Sequence, residues 1–91
     1  MNELEIGQLV YSKQGRDKDS VYVVVELIDQ DFVKVSDGSK RPLSRPKKKN
    51  IKHLQKVNKF VSVYLAEKLE RKKASDRQIK EELESMMAKV D

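Results

Sequence analysis

The chain has 91 residues and a mass of 10.6 kDa, room for one compact domain with a short appendage, which excludes a large multi-domain enzyme. Hydrophobic residues supply 37% of it and charged residues 38%, with no cysteine and a single histidine, so the core is small and disulfides, thiolate chemistry and multi-histidine metal sites are excluded. The formal charge is +5, and no HExxH, GxGxxG, GxSxG, GxxxxGKS or GxxxxGKT string occurs, so neither an enzyme nor a cofactor is expected.

The first residues, Met1-Asn2-Glu3-Leu4-Glu5, are acidic and lack the basic start and apolar stretch of a secretory signal. Val21–Val25, with Leu27 and Ile28 beyond Glu26, is far shorter than the roughly 20 residues of a membrane helix. A cytoplasmic location with no membrane partner is expected. Leu9-Val10-Tyr11-Ser12 is a short strand, and Gln14 to Ser20 is polar turn material. Val21 to Ile28 is β-branched, aromatic and almost unbroken, the pattern of a central strand buried on both faces. After Asp29-Gln30-Asp31, a third strand at Phe32–Ser36 leads into Asp37-Gly38, a hairpin signal because glycine readily takes positive φ. A fourth strand is expected from Lys40-Arg41-Pro42-Leu43, at an edge or irregular, since Pro42 and Pro46 cannot donate to a ladder. Ile51, Leu54 and Val57 are spaced by three, so Asn50–Val57 fits a helical turn as well as the strand assigned to it.

From Asn58, the expected N-cap, Val61, Tyr64, Leu65 and Leu69 mark one face of a helix. Ser75-Asp76-Arg77-Gln78 has capping-box form and opens a second helix from Asp76 to about Lys89, with Ile79, Leu83, Met86, Met87 and Val90 as its apolar stripe. Short strands followed by two helices make the chain α+β. Five strands in about 55 residues point to a small closed barrel over residues 1–57, with a helical extension over 58–91.

Charge is unevenly placed. Lys40, Arg41, Arg45, Lys47, Lys48, Lys49, Lys52, Lys56 and Lys59 fall within one segment that holds no acid, while the other 71 residues carry a net of 4 negative charges. Such a block repels itself and gains from a polyanion through counterion release, so RNA or DNA is the leading partner and a solvated lysine loop the alternative. Arg16, Arg41 and Arg45 suit bidentate phosphate contacts and base stacking. Tyr11 is the best candidate for stacking, with Tyr22 and Phe32 assigned to the core. Asp17, Asp19, Glu26, Asp29, Asp31 and Asp37 are expected in turns, bonded to local amides or hydrated.

Ile6-Gly7-Gln8-Leu9-Val10-Tyr11-Ser12-Lys13-Gln14-Gly15-Arg16-Asp17-Lys18 followed by Val21–Val25 resembles the KOW module, in which a glycine-containing basic loop joins two strands. Ser36-Asp37-Gly38-Ser39-Lys40-Arg41-Pro42-Leu43 and Arg45-Pro46-Lys47-Lys48-Lys49-Asn50-Ile51-Lys52-His53-Leu54 are similar to small bacterial KOW proteins. These are related to archaeal and eukaryotic large-subunit ribosomal proteins of the fourteen-e, six-e and twenty-seven-e class. Asp19 and Tyr22 depart from the pattern, standing where many KOW motifs carry glycine. The resemblance covers the first 55 residues and implies an SH3-like barrel. It implies binding to ribosomal RNA of the large subunit through Lys13, Arg16, Lys18, Arg41, Arg45, Lys47, Lys48, Lys49, Lys52 and His53, without catalysis or metal. The competing reading is an SH3-like protein-interaction module that contacts a translation or transcription partner, and the C-terminal helix is a separate candidate site for a protein partner.

Overall fold

The computed structural model describes residues 3–88. Five antiparallel strands, β1 (Gln8–Ser12), β2 (Val21–Leu27), β3 (Phe32–Ser36), β4 (Lys47–Asn50) and β5 (Leu54–Phe60), are followed by helices α1 (Val63–Glu70) and α2 (Asp76–Ala88). The ladder order is β4-β3-β2-β1-β5. Strands β4 and β5 lie at opposite edges, yet a single 3-10 turn, Ile51–His53, joins them. Three residues of 3-10 helix advance about 6 Å, whereas a flat five-stranded sheet is about 19 Å across. The sheet must therefore curl until its edges approach.

The expected closed barrel is corrected here: no ladder joins β4 to β5 among the described residues. Strand β4 has four residues and gives way at once to the 3-10 turn, and β5 pairs with β1 instead. The β4 edge is short and lysine-rich, a composition that discourages edge-to-edge association.

The pleat sorts apolar side chains into two cores. Leu4, Val10, Tyr22, Val24, Val33, Val35 and Leu54 fill the inside of the curl. Leu9 and Val23, on the opposite face, pack with Val61, Leu65, Leu69, Ile79 and Leu83 beneath the helices. This is why β2 reads as an unbroken apolar run: successive residues serve different cores. The α2 stripe is directed inward at Ile79 and Leu83, half-buried at Met86 and exposed at Met87; Lys89 and Val90 lie outside the described residues.

Three boundaries differ from expectation. The segment 40–46 is a loop, so β4 starts after both prolines. Asn50 ends β4, and the rest of the segment to Val57 divides into the 3-10 turn and β5, satisfying both periodicities in succession. Asn58 is not a cap, because β5 keeps its pairing out to Phe60 against Gln8. Ser62 caps α1 instead, its Oγ accepting from the Leu65 amide at 3.2 Å, while its own amide and hydroxyl each donate to the Glu82 carboxylate at 2.7 Å. At the other end Lys72 takes φ +58, and the Lys73 and Lys72 amides donate to the Lys68 and Leu69 carbonyls, a Schellman ending with lysine in the usual glycine position. The expected capping box is present in α2: the Gln78 amide donates to Ser75 Oγ, and the Ser75 amide donates to Gln78 Oε1.

In the β1–β2 loop, Gly15 has φ +88 and Asp19 has φ +74. Asp19 thus holds a left-handed conformation that glycine takes more readily, with its amide donating to the Ser12 carbonyl. Asp19→Gly is expected to be neutral or to raise stability by up to about 1 kcal/mol, since relief of the left-handed penalty outweighs the added chain entropy. A loss of more than about 1 kcal/mol in urea unfolding would contradict this reading of the turn.

Candidate nucleic-acid interface

The basic residues expected to act together are separated by the pleat of β4. Alternate strand residues face opposite sides, so Lys47 and Lys49 point into the curl beside their partners Val35 and Val33, while Lys48 points outward beside Lys34. Lys49 is only 8% exposed. Its Nζ donates to Asp17 Oδ1 at 3.0 Å and to Ser12 Oγ at 3.1 Å, and Lys47 Nζ reaches Asp17 Oδ2 at 3.3 Å. Lys48 is exposed, its ammonium 4.5 Å from the centre of the half-buried Phe32 ring.

Asp17 is the centre of this arrangement: it lies in a turn, as expected, but its carboxylate is bonded to side chains rather than to local amides. Besides both lysines it accepts from Ser12 Oγ at 2.9 Å and from Tyr22 Oη at 2.8 Å. Burial is the largest single influence on its carboxyl and pushes the pKa up. The hydrogen bonds from Lys49, Tyr22 and Ser12, with the Lys49 charge, together outweigh it and hold the group well below the usual carboxylate range. Tyr22 is pushed up to about 12, by burial first and then by Asp17. The network seals one end of the inner core with no buried side-chain polar atom left unsatisfied among the described residues.

The same contacts join the first loop to β4, so the two basic segments are neighbours. Arg16 and Lys18 are exposed on that loop, and Arg41 and Arg45 are exposed on the β3–β4 loop. Arg16, Lys40 and Arg41 line a shared concavity with Asp17, Ser20, Tyr22 and Asp37. Lys52 and His53 are exposed on the 3-10 turn, and the Lys13 amide donates to the His53 carbonyl at 2.8 Å, placing these three together. Tyr11 is exposed on β1, as a stacking face requires. Sequence reasoning missed Lys34, which the β3–β4 register sets beside Lys48, and left Lys40 out of the contact set. Pairing partners such as Lys34 and Lys48 leave no mark in local spacing.

Fold and charge together define a small basic α+β protein with a cation-bearing loop face. No family model matches the chain. It is 30% identical over 84 residues to the large ribosomal subunit protein eL14 of Saccharolobus solfataricus, covering 92% of this chain and 80% of that protein. The eL14 of Saccharolobus islandicus is 27% identical over the same span, and that of Desulfurococcus amylolyticus is 30% identical over 63 residues, or 69% of this chain and 66% of the relative. The chain belongs to the eL14 family of large ribosomal subunit proteins.

Proposed function

We propose that the protein is a cytoplasmic, non-enzymatic component of the large ribosomal subunit that docks on structured ribosomal RNA. The contact surface is Lys13, Arg16, Lys18, Arg41, Arg45, Lys48, Lys52 and His53, with Lys47 at its inner rim and Lys49 acting from within as a support. One observation carries this reading. Among the described residues, ion pairs involve Lys34, Lys47, Lys49, Lys56 and Arg77, whereas Arg16, Lys18, Lys40, Arg41, Arg45, Lys48 and Lys52 form none. Crowding unpaired like charges on adjoining loops costs free energy in the isolated protein, and a phosphate backbone relieves it. Shape and backbone charge, rather than base edges, suit structured RNA. The family membership supports the same assignment, and the strand order with its 3-10 crossing supports an SH3-like module of the KOW kind.

The test is cosedimentation. At physiological ionic strength, where the Debye length is about 8 Å, the protein is expected in large-subunit or whole-ribosome fractions, and high salt should strip it off. With about five phosphates engaged, log affinity against log salt should have a slope near −3.5 to −4.5. Protein that stays at the top of the gradient at physiological salt would end this reading. A protein-interaction role draws on a separate observation: Phe60, Val63 and Tyr64 are 44%, 77% and 62% exposed at the junction of β5 and α1. A partner captured there must persist after nuclease treatment.

A further inference from the structure

Two loops from opposite hairpins form one cleft, and three cations at its wall have no ionic or hydrogen-bonded side-chain partner among the described residues: Arg16 from the β1–β2 loop, and Lys40 and Arg41 from the β3–β4 loop. The concavity measures about 370 Å³, within the size range of clefts that hold small groups. Its two carboxylates are already committed to the fold. Asp17 binds Lys47, Lys49, Ser12 and Tyr22, and Asp37 Oδ1 accepts from the Ser39 and Arg41 amides, both at 2.9 Å.

The Arg41 backbone is held from both sides. Its amide donates to Asp37, while its carbonyl accepts from Ser36 Oγ at 2.7 Å and from the Asp37 amide at 3.2 Å. Ser36 is fully buried, and its Oγ also accepts from the Gly38 amide. The loop carrying Arg16 is fastened differently, through the side chain of its neighbour Asp17, which accepts from Ser12, Tyr22, Lys47 and Lys49. Two planar guanidinium groups therefore line one cleft from two anchored loops, so less chain entropy is lost when both close on one ligand than for freely moving segments.

We infer that this cleft seats a single phosphate group of the RNA backbone, clasped by Arg16 from one loop and Arg41 from the other, with Lys40 at the rim. The inference rests on the RNA reading above and adds to it one defined subsite in place of a diffuse basic face. Arginine suits it because the fork can bind phosphate oxygens bidentately, which the ammonium of Lys48 on the open surface cannot do.

The test is binding of the intact protein to deproteinised large-subunit ribosomal RNA at fixed salt. Arg16→Gln and Arg41→Gln should each weaken binding about tenfold, against about two- to threefold for the Lys48→Gln control outside the cleft. The double variant should be much less than a hundredfold weaker, because either change alone opens the clasp. The arginines are exposed, so urea midpoints should match the parent and exclude misfolding as the cause. Losses no larger than for Lys48→Gln, or losses that multiply in the double variant, overturn the clasp and leave the RNA reading standing. Adenosine monophosphate should show no saturable binding at micromolar concentration; tight binding would make this a free-nucleotide site and overturn the inference. Failure of the parent protein to retain the RNA would end the RNA reading and this inference with it.

Discussion

Gly38→Val is expected to cost about 2 to 6 kcal/mol, a large share of the roughly 5 to 15 kcal/mol that holds a small domain together. Two effects combine. Gly38 has φ +72, where a β-branched residue is strained by about 1 to 3 kcal/mol. Its position is also closed by α2: an added Cβ would lie 2.4 Å from the Asp76 carbonyl oxygen, 3.0 Å from the Lys80 amide nitrogen and 3.2 Å from the Ile79 Cβ. Two of those three atoms are helix backbone and cannot step aside as a flexible side chain would, so overpacking adds about 1 to 3 kcal/mol. The same region carries a specific tie, the Leu43 amide donating to Asp76 Oδ1 at 2.7 Å. Valine should therefore lift the first turn of α2 off the β3–β4 loop and expose Ile79. At an m-value of about 2 kcal/mol/M, the urea midpoint should fall by about 2 M. A midpoint within about 0.3 M of the parent would show that α2 is not seated on this glycine.

Much of this fold was legible because local patterns and tertiary packing agree. The burial of Tyr22–Val24 on both faces of β2, the capping box at Ser75–Gln78 and the positive φ at Gly38 each follow from residues close in sequence, although the far end of the apolar run, Leu27 and Ile28, is exposed. The positive φ at Gly38 was recognisable, but the tight hairpin expected there opens into a loop over 37–46, and the reason for the glycine was hidden, since the helix that requires a bare backbone there begins 38 residues later. The start of α1 was misplaced for a related cause. Asn58 is an acceptable cap, yet ladder pairing with Gln8 keeps β5 extended through Phe60 and passes the role to Ser62. Closure of the barrel was overestimated because strand count says nothing about whether edge strands pair.

The site was half legible. Composition located the cations, and their exposure agrees for Arg16, Lys18, Arg41, Arg45, Lys48, Lys52 and His53. Reading Lys47-Lys48-Lys49 as one run overlooked that a strand with period 2 must send its middle residue away from the other two. Once these residues are recognised as β4, the outer pair must find an acceptor inside the curl. The partner, Asp17, lies about thirty residues earlier on another hairpin, beyond the reach of spacing arguments.

Asp17→Asn is accordingly expected to cost about 3 to 5 kcal/mol, because it leaves the Lys49 ammonium without its counter-charge in a position only 8% exposed. Lys49→Met removes the buried charge and fills similar volume, and Asp17 keeps Lys47, Tyr22 and Ser12, so about 1 kcal/mol is expected there. A Lys49→Met variant less stable than Asp17→Asn would contradict this ordering. The pH dependence has a definite sign. The Asp17 pKa is depressed on folding, so its contribution is present above the ordinary value of 3.8 and is lost as pH falls below it toward the folded value. The Tyr22 pKa is raised from 10.0 to about 12, so its contribution is present below pH 10.0 and is lost as pH climbs through about 12. Between those limits the network adds no slope, and the acid limb of the urea midpoint should be shallower in Asp17→Asn. RNA affinity then separates position from charge. Removing an acid beside Arg16 and Lys18 should strengthen binding to a polyanion if only net charge mattered. Because Asp17 fastens the loop that carries Arg16 to β4, Asp17→Asn should instead weaken binding at a temperature where it remains folded, and tighter binding would show that the loop needs no such anchor.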